Sequence, residues 1–279
     1  MLIITAALLG ALSAAPAADT TIAVTKGTRL EVNNFSGRVT VTAWNRDEVQ
    51  IRWTSTDDDA NLRVQRSPGE IRVAQDMRNG PTEIDVTINA PAWMALSLQG
   101  NETAMVVSGM AAAVRAQSVD GDITLSGGAD NVSVNSIEGA VQVDGARGNI
   151  EIQSVDGDIT VRNVVGALTV QGVDGDVRLE DITSSAVRVT TVDGNIHFSG
   201  PIASNGSYSF KTHDGDIGIR PAGALNATVS VSTFSGDFES ASPVTISGSQ
   251  DGKRFSFTVG TGSARLDLEA FDGQIRLEK

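Results

Sequence analysis

Ser118-Val119-Asp120-Gly121-Asp122-Ile123-Thr124-Leu125 returns as Ser136-Ile137-Glu138-Gly139-Ala140-Val141-Gln142-Val143. It returns again as Ser154-Val155-Asp156-Gly157-Asp158-Ile159-Thr160-Val161 and as Gly172-Val173-Asp174-Gly175-Asp176-Val177-Arg178-Leu179. The four glycines are spaced 18 residues apart. A fixed period of this length marks a stack of repeated units. Within one unit, Ile159 and Val161 alternate with Asp158 and Thr160, the pattern of a half-buried strand. After the loop from Arg162 to Gly166, Leu168 and Val170 alternate with Ala167 and Thr169 as a second strand. Asp-Gly supplies a corner, because Gly tolerates positive φ and Asp hydrogen-bonds nearby backbone. Two such strands cannot bury their apolar side alone, so the units stack and pair in parallel. Antiparallel hairpins would have no reason to hold the 18-residue length through loops of unrelated sequence.

The expected fold is therefore an all-β, right-handed parallel β-solenoid, or β-helix, with two short strands per rung of 18–21 residues. The longer rungs come late: Gly194, Gly215 and Gly236 are 21 residues apart, with the extra residues in the loops from Pro201 to Gly206 and from Pro221 to Leu225. The last copy is Phe271-Asp272-Gly273-Gln274-Ile275-Arg276-Leu277. Upstream, residues 20 to 53 read as an N-terminal rung, with Val49 to Trp53 as its second strand. Residues 54 to 99 leave the period and read as a cap, including a hairpin around Ser67-Pro68-Gly69. The expected division is a leader over 1–18, an N-terminal rung and cap strands over 19–99, and repeats over 100–279 continuous with them. No helix is expected after the leader.

The leader reading rests on an apolar run from Leu2 to Leu12, followed by Ala15-Pro16-Ala17 as a small-residue cleavage site. The run is too short to span a bilayer, and no membrane span is expected in the mature chain. Export to the periplasm or cell surface follows. The chain has 279 residues, 40% hydrophobic and 4% aromatic, with 29 Gly and no Cys, so disulfide and thiol chemistry are absent. The net charge of −13 is uneven: residues 1–100 carry −2 and residues 101–279 carry −11. Such a surface disfavours nucleic acid and anionic lipid and favours basic partners or cations.

The recurring (Ser/Thr)-x-(Asp/Ser)-Gly-(Asp/Asn)-Ile-x-(Val/Leu) resembles the bacterial putative-adhesin β-strand-repeat family, whose function is unknown. The opening Phe35-Ser36-Gly37-Arg38-Val39-Thr40-Val41-Thr42-Ala43-Trp44, the passage Val86-Thr87-Ile88-Asn89-Ala90-Pro91 and the terminal Gly260-Thr261-Gly262-Ser263-Ala264-Arg265-Leu266 resemble it too. The likeness spans residues 20 to 279. It implies an exported parallel β-solenoid without established catalytic residues.

Aligning the copies produces two acidic columns. One holds Asp120, Glu138, Asp156, Asp174, Asp193 and Asp214; the other holds Asp122, Asp158, Asp176, Asn195, Asp216 and Asp237. Turn chemistry accounts for both. Carboxylates are also hard-cation ligands, which makes Asp156, Asp158, Asp174 and Asp176 candidates for weak calcium binding, although the nine-residue calcium repeat is missing. No cofactor and no catalytic residue is expected. His213 stands where other copies have Val or Ile, and His197 is expected in solvent. Trp44, Trp53 and Trp93 are expected in core or cap packing. The functional expectation is a non-catalytic, adhesin-like structural or binding module that faces a protein or glycan of the cell envelope. The alternative is a polysaccharide lyase or hydrolase built on a β-helix and using an acidic cluster.

Cleavage is expected close to Ala17. Mass spectrometry of the exported protein checks this, and an intact Met1 on the mature form refutes it.

Overall fold

The computed structural model describes residues 18–241, 243, 244, 247, 248 and 254–279. The expected cleavage site and all of the leader but Ala18 lie outside the described residues. The described chain is built of strands, with one 3-10 turn at Met77–Asn79 and no α-helix.

Each regular rung is two parallel-stacked strands joined by the Asp-Gly corner. Asn131–Glu138 and Val141–Asp144 form one rung, and Arg147–Asp156 and Ile159–Arg162 form the next. Val132 pairs with Ile150 and Val141 with Ile159, an offset of 18 residues that matches the repeat. The first strands stack into one row and the second strands into another. Their inward residues meet in a single core: Val134, Ile152, Val170 and Val189 come from the first row, and Val141, Ile159, Val177 and Ile196 from the second. The sheet stays open at its ends.

The corner fixes the stacking distance. Gly157 has φ +136°, and a Cβ there would collide with the carbonyl oxygen of Gly139 one rung below. Its own N–H donates to the Asp174 carbonyl on the other side at 3.2 Å. Most of the acidic corner positions are preceded, two residues earlier, by a buried Ser or Thr, and at Ser118, Ser136 and Thr212 its hydroxyl closes the corner from inside, whereas Gly172 has no hydroxyl to offer. Ser136 Oγ donates to the Glu138 carbonyl at 3.0 Å, and Thr212 Oγ1 to that of Asp214 at 3.1 Å. This is why the repeat opens on Ser or Thr.

The ends depart from chain order. Glu70–Gln75 and Asp85–Pro91 form the outermost N-terminal rung, and Arg29–Trp44, bent around one corner, lies between it and Ala95–Met110. The rung expected over residues 20 to 53 is thus formed by Arg29–Trp44 alone, and it is second from the end. Glu48–Thr54, expected as its second strand, instead runs antiparallel to Asp85–Pro91, with Ala18–Ala23 beyond it. The apolar alternation of Val49 and Ile51 fits either role, so pattern alone could not separate them. The hairpin is present as expected, with Leu62–Ser67 antiparallel to Glu70–Gln75. The repeats begin at Ala95 rather than Gly100.

At the far end Ala264–Asp272 pairs with Ser207–Asp214 on one side and Ala227–Thr233 on the other, so the last rung in sequence is second from the end in space. Arg254–Val259 closes that end antiparallel to Ala227–Thr233, and its Phe255 and Phe257 pack on Phe238. Antiparallel strands therefore terminate both ends, as an exposed parallel edge would otherwise invite further pairing.

Gly157→Val is expected to lower the urea midpoint sharply. The left-handed corner alone costs a β-branched residue ~1–3 kcal/mol, and the collision with Gly139 adds to it. Asp158→Asn keeps its acceptor oxygen and is expected at the wild-type midpoint. Asp158→Ala should lose about 1 kcal/mol with the hydrogen bond to Asp176 N–H. Urea denaturation of the three variants checks the ordering.

Candidate functional site

The Asp-Gly edge carries the most regular surface of the molecule. The chain turns there through two consecutive outward residues, which breaks strand parity. Ser136 points in, Ile137 and Glu138 point out, and Val141 is the next buried side chain.

The first outward column is apolar. Val119, Ile137, Val155, Val173 and Val192 are 42–47% exposed on five successive rungs. The column continues as His213, Phe271 and Phe234. The His213 and Phe271 rings are 4.6 Å apart, and Phe271 stacks on Phe234 at 4.6 Å and 5°. His213 is thus a member of an exposed ridge that becomes aromatic toward one end. The sequence showed this column, but alternation could not place it outside.

The second outward column is acidic. Glu102, Asp120, Glu138, Asp156, Asp174, Asp193, Asp214 and Asp272 lie on neighbouring rungs. Among the described residues, none of those from Asp120 to Asp214 forms an ion pair. Like charges opposed on adjacent strands destabilise each other, so this ladder costs the fold stability that a cationic partner would return.

The other acidic column does structural work. Asp122 Oδ1 accepts from Ala140 N–H at 2.8 Å and Asp158 Oδ1 from Asp176 N–H at 2.9 Å. Asp176 Oδ1 accepts from Asn195 N–H, Asn195 Oδ1 from Asp216 N–H, and Asp216 Oδ1 from Gln274 N–H, at 2.8–2.9 Å. Each side chain caps the equivalent amide of the next rung. Ala140 interrupts the ladder because it has no acceptor to offer Asp158 N–H.

The four calcium candidates therefore divide. Asp156 and Asp174 stand free on the outer ladder, whereas Asp158 and Asp176 each commit one oxygen to a backbone amide. Among the described residues no three His, Asp or Glu side chains converge as metal ligands.

A second feature is a shallow trough of about 670 Å³ on the outer face of the first row, near the C-terminal end. Ser209 and Ser230 floor it, and Arg188 and Arg254 rim it. Its carboxylates are occupied: Lys211 pairs with Glu269 and Arg265 with Asp267, both at 2.7 Å. His197 is exposed beside Gly218, as expected. Trp53 and Trp93 pack half-buried against the core, while Trp44 donates Nε1–H to the Glu48 carbonyl at 2.8 Å under Arg46.

Millimolar calcium or a chelator is expected to move the thermal midpoint by no more than a few degrees, since two of the four candidate carboxylates are already engaged with backbone amides. A large calcium-dependent rise would refute this assignment of the columns.

The comparison with curated proteins found no match. Among solved structures, the chain is similar to a putative adhesin from Bacteroides fragilis, with 13% identity, a TM-score of 0.47, and 95% of this chain and 97% of that chain covered. It is also similar to a putative adhesin from Parabacteroides distasonis, at 11% identity and a TM-score of 0.46, over 75% of this chain and 95% of that one. A putative lipid binding protein from the same organism aligns at 10% identity and a TM-score of 0.45, over 94% and 96%. The protein-family model described as Toastrack DUF4097 matches residues 15–278, and with them the capping strands, the corner repeat and the interleaved last rung: the chain belongs to that family.

Proposed function

We propose that this chain is an exported, non-catalytic binding module, adhesin-like in presenting one long repetitive surface to a protein or glycan of the cell envelope. The observation that carries the reading is the edge: the same apolar and acidic side chains recur at rung spacing from Val119 and Asp120 to Val192 and Asp193. A repeated surface suits a partner that is itself extended. A catalytic centre instead calls for one place where the repeat breaks and acid, base and substrate pocket converge. The trough is the nearest approach to such a place, and its two carboxylates are each held by a neighbouring cation rather than poised as an acid–base pair. No helix of the described residues is long and apolar enough to cross a membrane, and the apolar leader supplies the argument for export.

The purified protein is expected to co-sediment saturably with envelope fragments of its own cell. Cell fractionation is expected to place it outside the cytoplasm. Absence of saturable association, or release of new sugar ends from an acidic polysaccharide, would overturn the reading.

A further inference from the structure

The edge has a third column. Gln117, Asn135, Gln153 and Gln171 are in register on the near side of the apolar ridge, as the acids are on the far side. The strip therefore runs from amide through apolar to acidic, in the same order on each of four rungs. We propose that it docks a basic amphipathic helix of a partner protein, laid along the stack axis with its cationic flank over the carboxylates. This deepens the binding-module reading and rests on it.

Three arguments select that occupant. Charge comes first: six unpaired acids from Asp120 to Asp214 border the ridge, so a second copy of this chain or an anionic lipid surface would be repelled. A cationic flank would gain attraction and also relieve the like-charge stacking. Hydrophobicity is the second, because a continuous line of half-exposed Val and Ile gives a non-directional gain on burial that bare cations cannot use. Spacing is the third. Rungs recur every ~4.8 Å. A helix repeats its apolar stripe every ~5.4 Å, whereas an extended strand repeats same-side residues every ~6.7 Å. The helix keeps register over four rung intervals with an accumulated slip of about 2 Å, and the strand slips by more than a full rung. From Val119 to Val192 those intervals make about 19 Å, the length of a helix of ~13 residues.

The probes are three synthetic peptides of ~14 residues, sized by that length. One is a Leu/Lys helix with a single apolar stripe and a lysine flank. The second is its Leu/Glu counterpart, and the third a scrambled Leu/Lys sequence of the same composition. Fluorescence anisotropy with the whole protein is expected to show the first binding about tenfold or more tighter than either control, and weakening as salt rises. The triple variant Ile137→Ser, Val155→Ser, Val173→Ser should weaken that binding about tenfold with its circular dichroism unchanged. The variant Asp156→Asn, Asp174→Asn, Asp193→Asn should do the same; it removes outward charges without touching the apolar ridge, so it keeps the test open if the serine variant misfolds. Equal binding of the scrambled peptide, or undiminished binding by the Asn variant, overturns the proposal. So does envelope association that survives both variants, a result that leaves the binding-module reading standing.

Discussion

Everything in this molecule depends on how closely two corners can approach. Neighbouring corner backbones are in contact, and the space where Gly139, Gly157, Gly175, Gly194 and Gly215 would carry a Cβ is filled by the rung below. Glycine there sets the rung spacing, and the spacing lets the N–H of Gly157 reach the carbonyl of Asp174 and that of Ile159 reach Asp176. Parallel pairing then resumes on the far side of the bend, where Ile159 pairs with Val177. The inner Ser or Thr and the capping Asp are secondary devices that hold a geometry the glycine makes available.

The same contact explains why an acidic edge is tolerated. Side chains at equivalent positions are forced to stack at the rung distance whatever their charge. The capping column turns that proximity to use, each carboxylate accepting from the next rung's amide. The outer column gains no such partner, and its repulsion is the residue of a repeat whose corner chemistry is good and whose surface chemistry is not self-satisfying. A surface in that state is suited to something brought from outside.

Much of this was legible in the sequence. The 18-residue spacing of Gly121, Gly139, Gly157 and Gly175 is the register of the ladder itself, so reading one gave the other. Alternation located Ile159, Val161, Leu168 and Val170 in the core. It failed where alternation stops being the rule. At the corner two residues in a row face out, so Val155 is exposed by geometry although apolar in kind. At the ends, local pattern cannot report which rung a strand joins. Val49 and Ile51 alternate as any second strand would, and Leu266 and Leu268 look like a final rung, yet neither pairing follows chain order. The role of Asp158 as a cap was hidden for the same reason: its partner amide lies 18 residues away and one rung across.

The interleaving of the last rung has a mechanical consequence. A simple solenoid under tension peels from its end, one rung and one ladder at a time. Here tension arriving at Lys279 falls on residues 264–277, which are gripped between 207–221 and 227–240. Withdrawing them must shear two ladders together, and the outermost rung acts as a clamp over the one being pulled. The N-terminal side has the same arrangement, with Arg29–Trp44 held between two rungs that follow it in sequence. A stack latched in this way at both ends resists unravelling under load far better than its individually short strands would suggest.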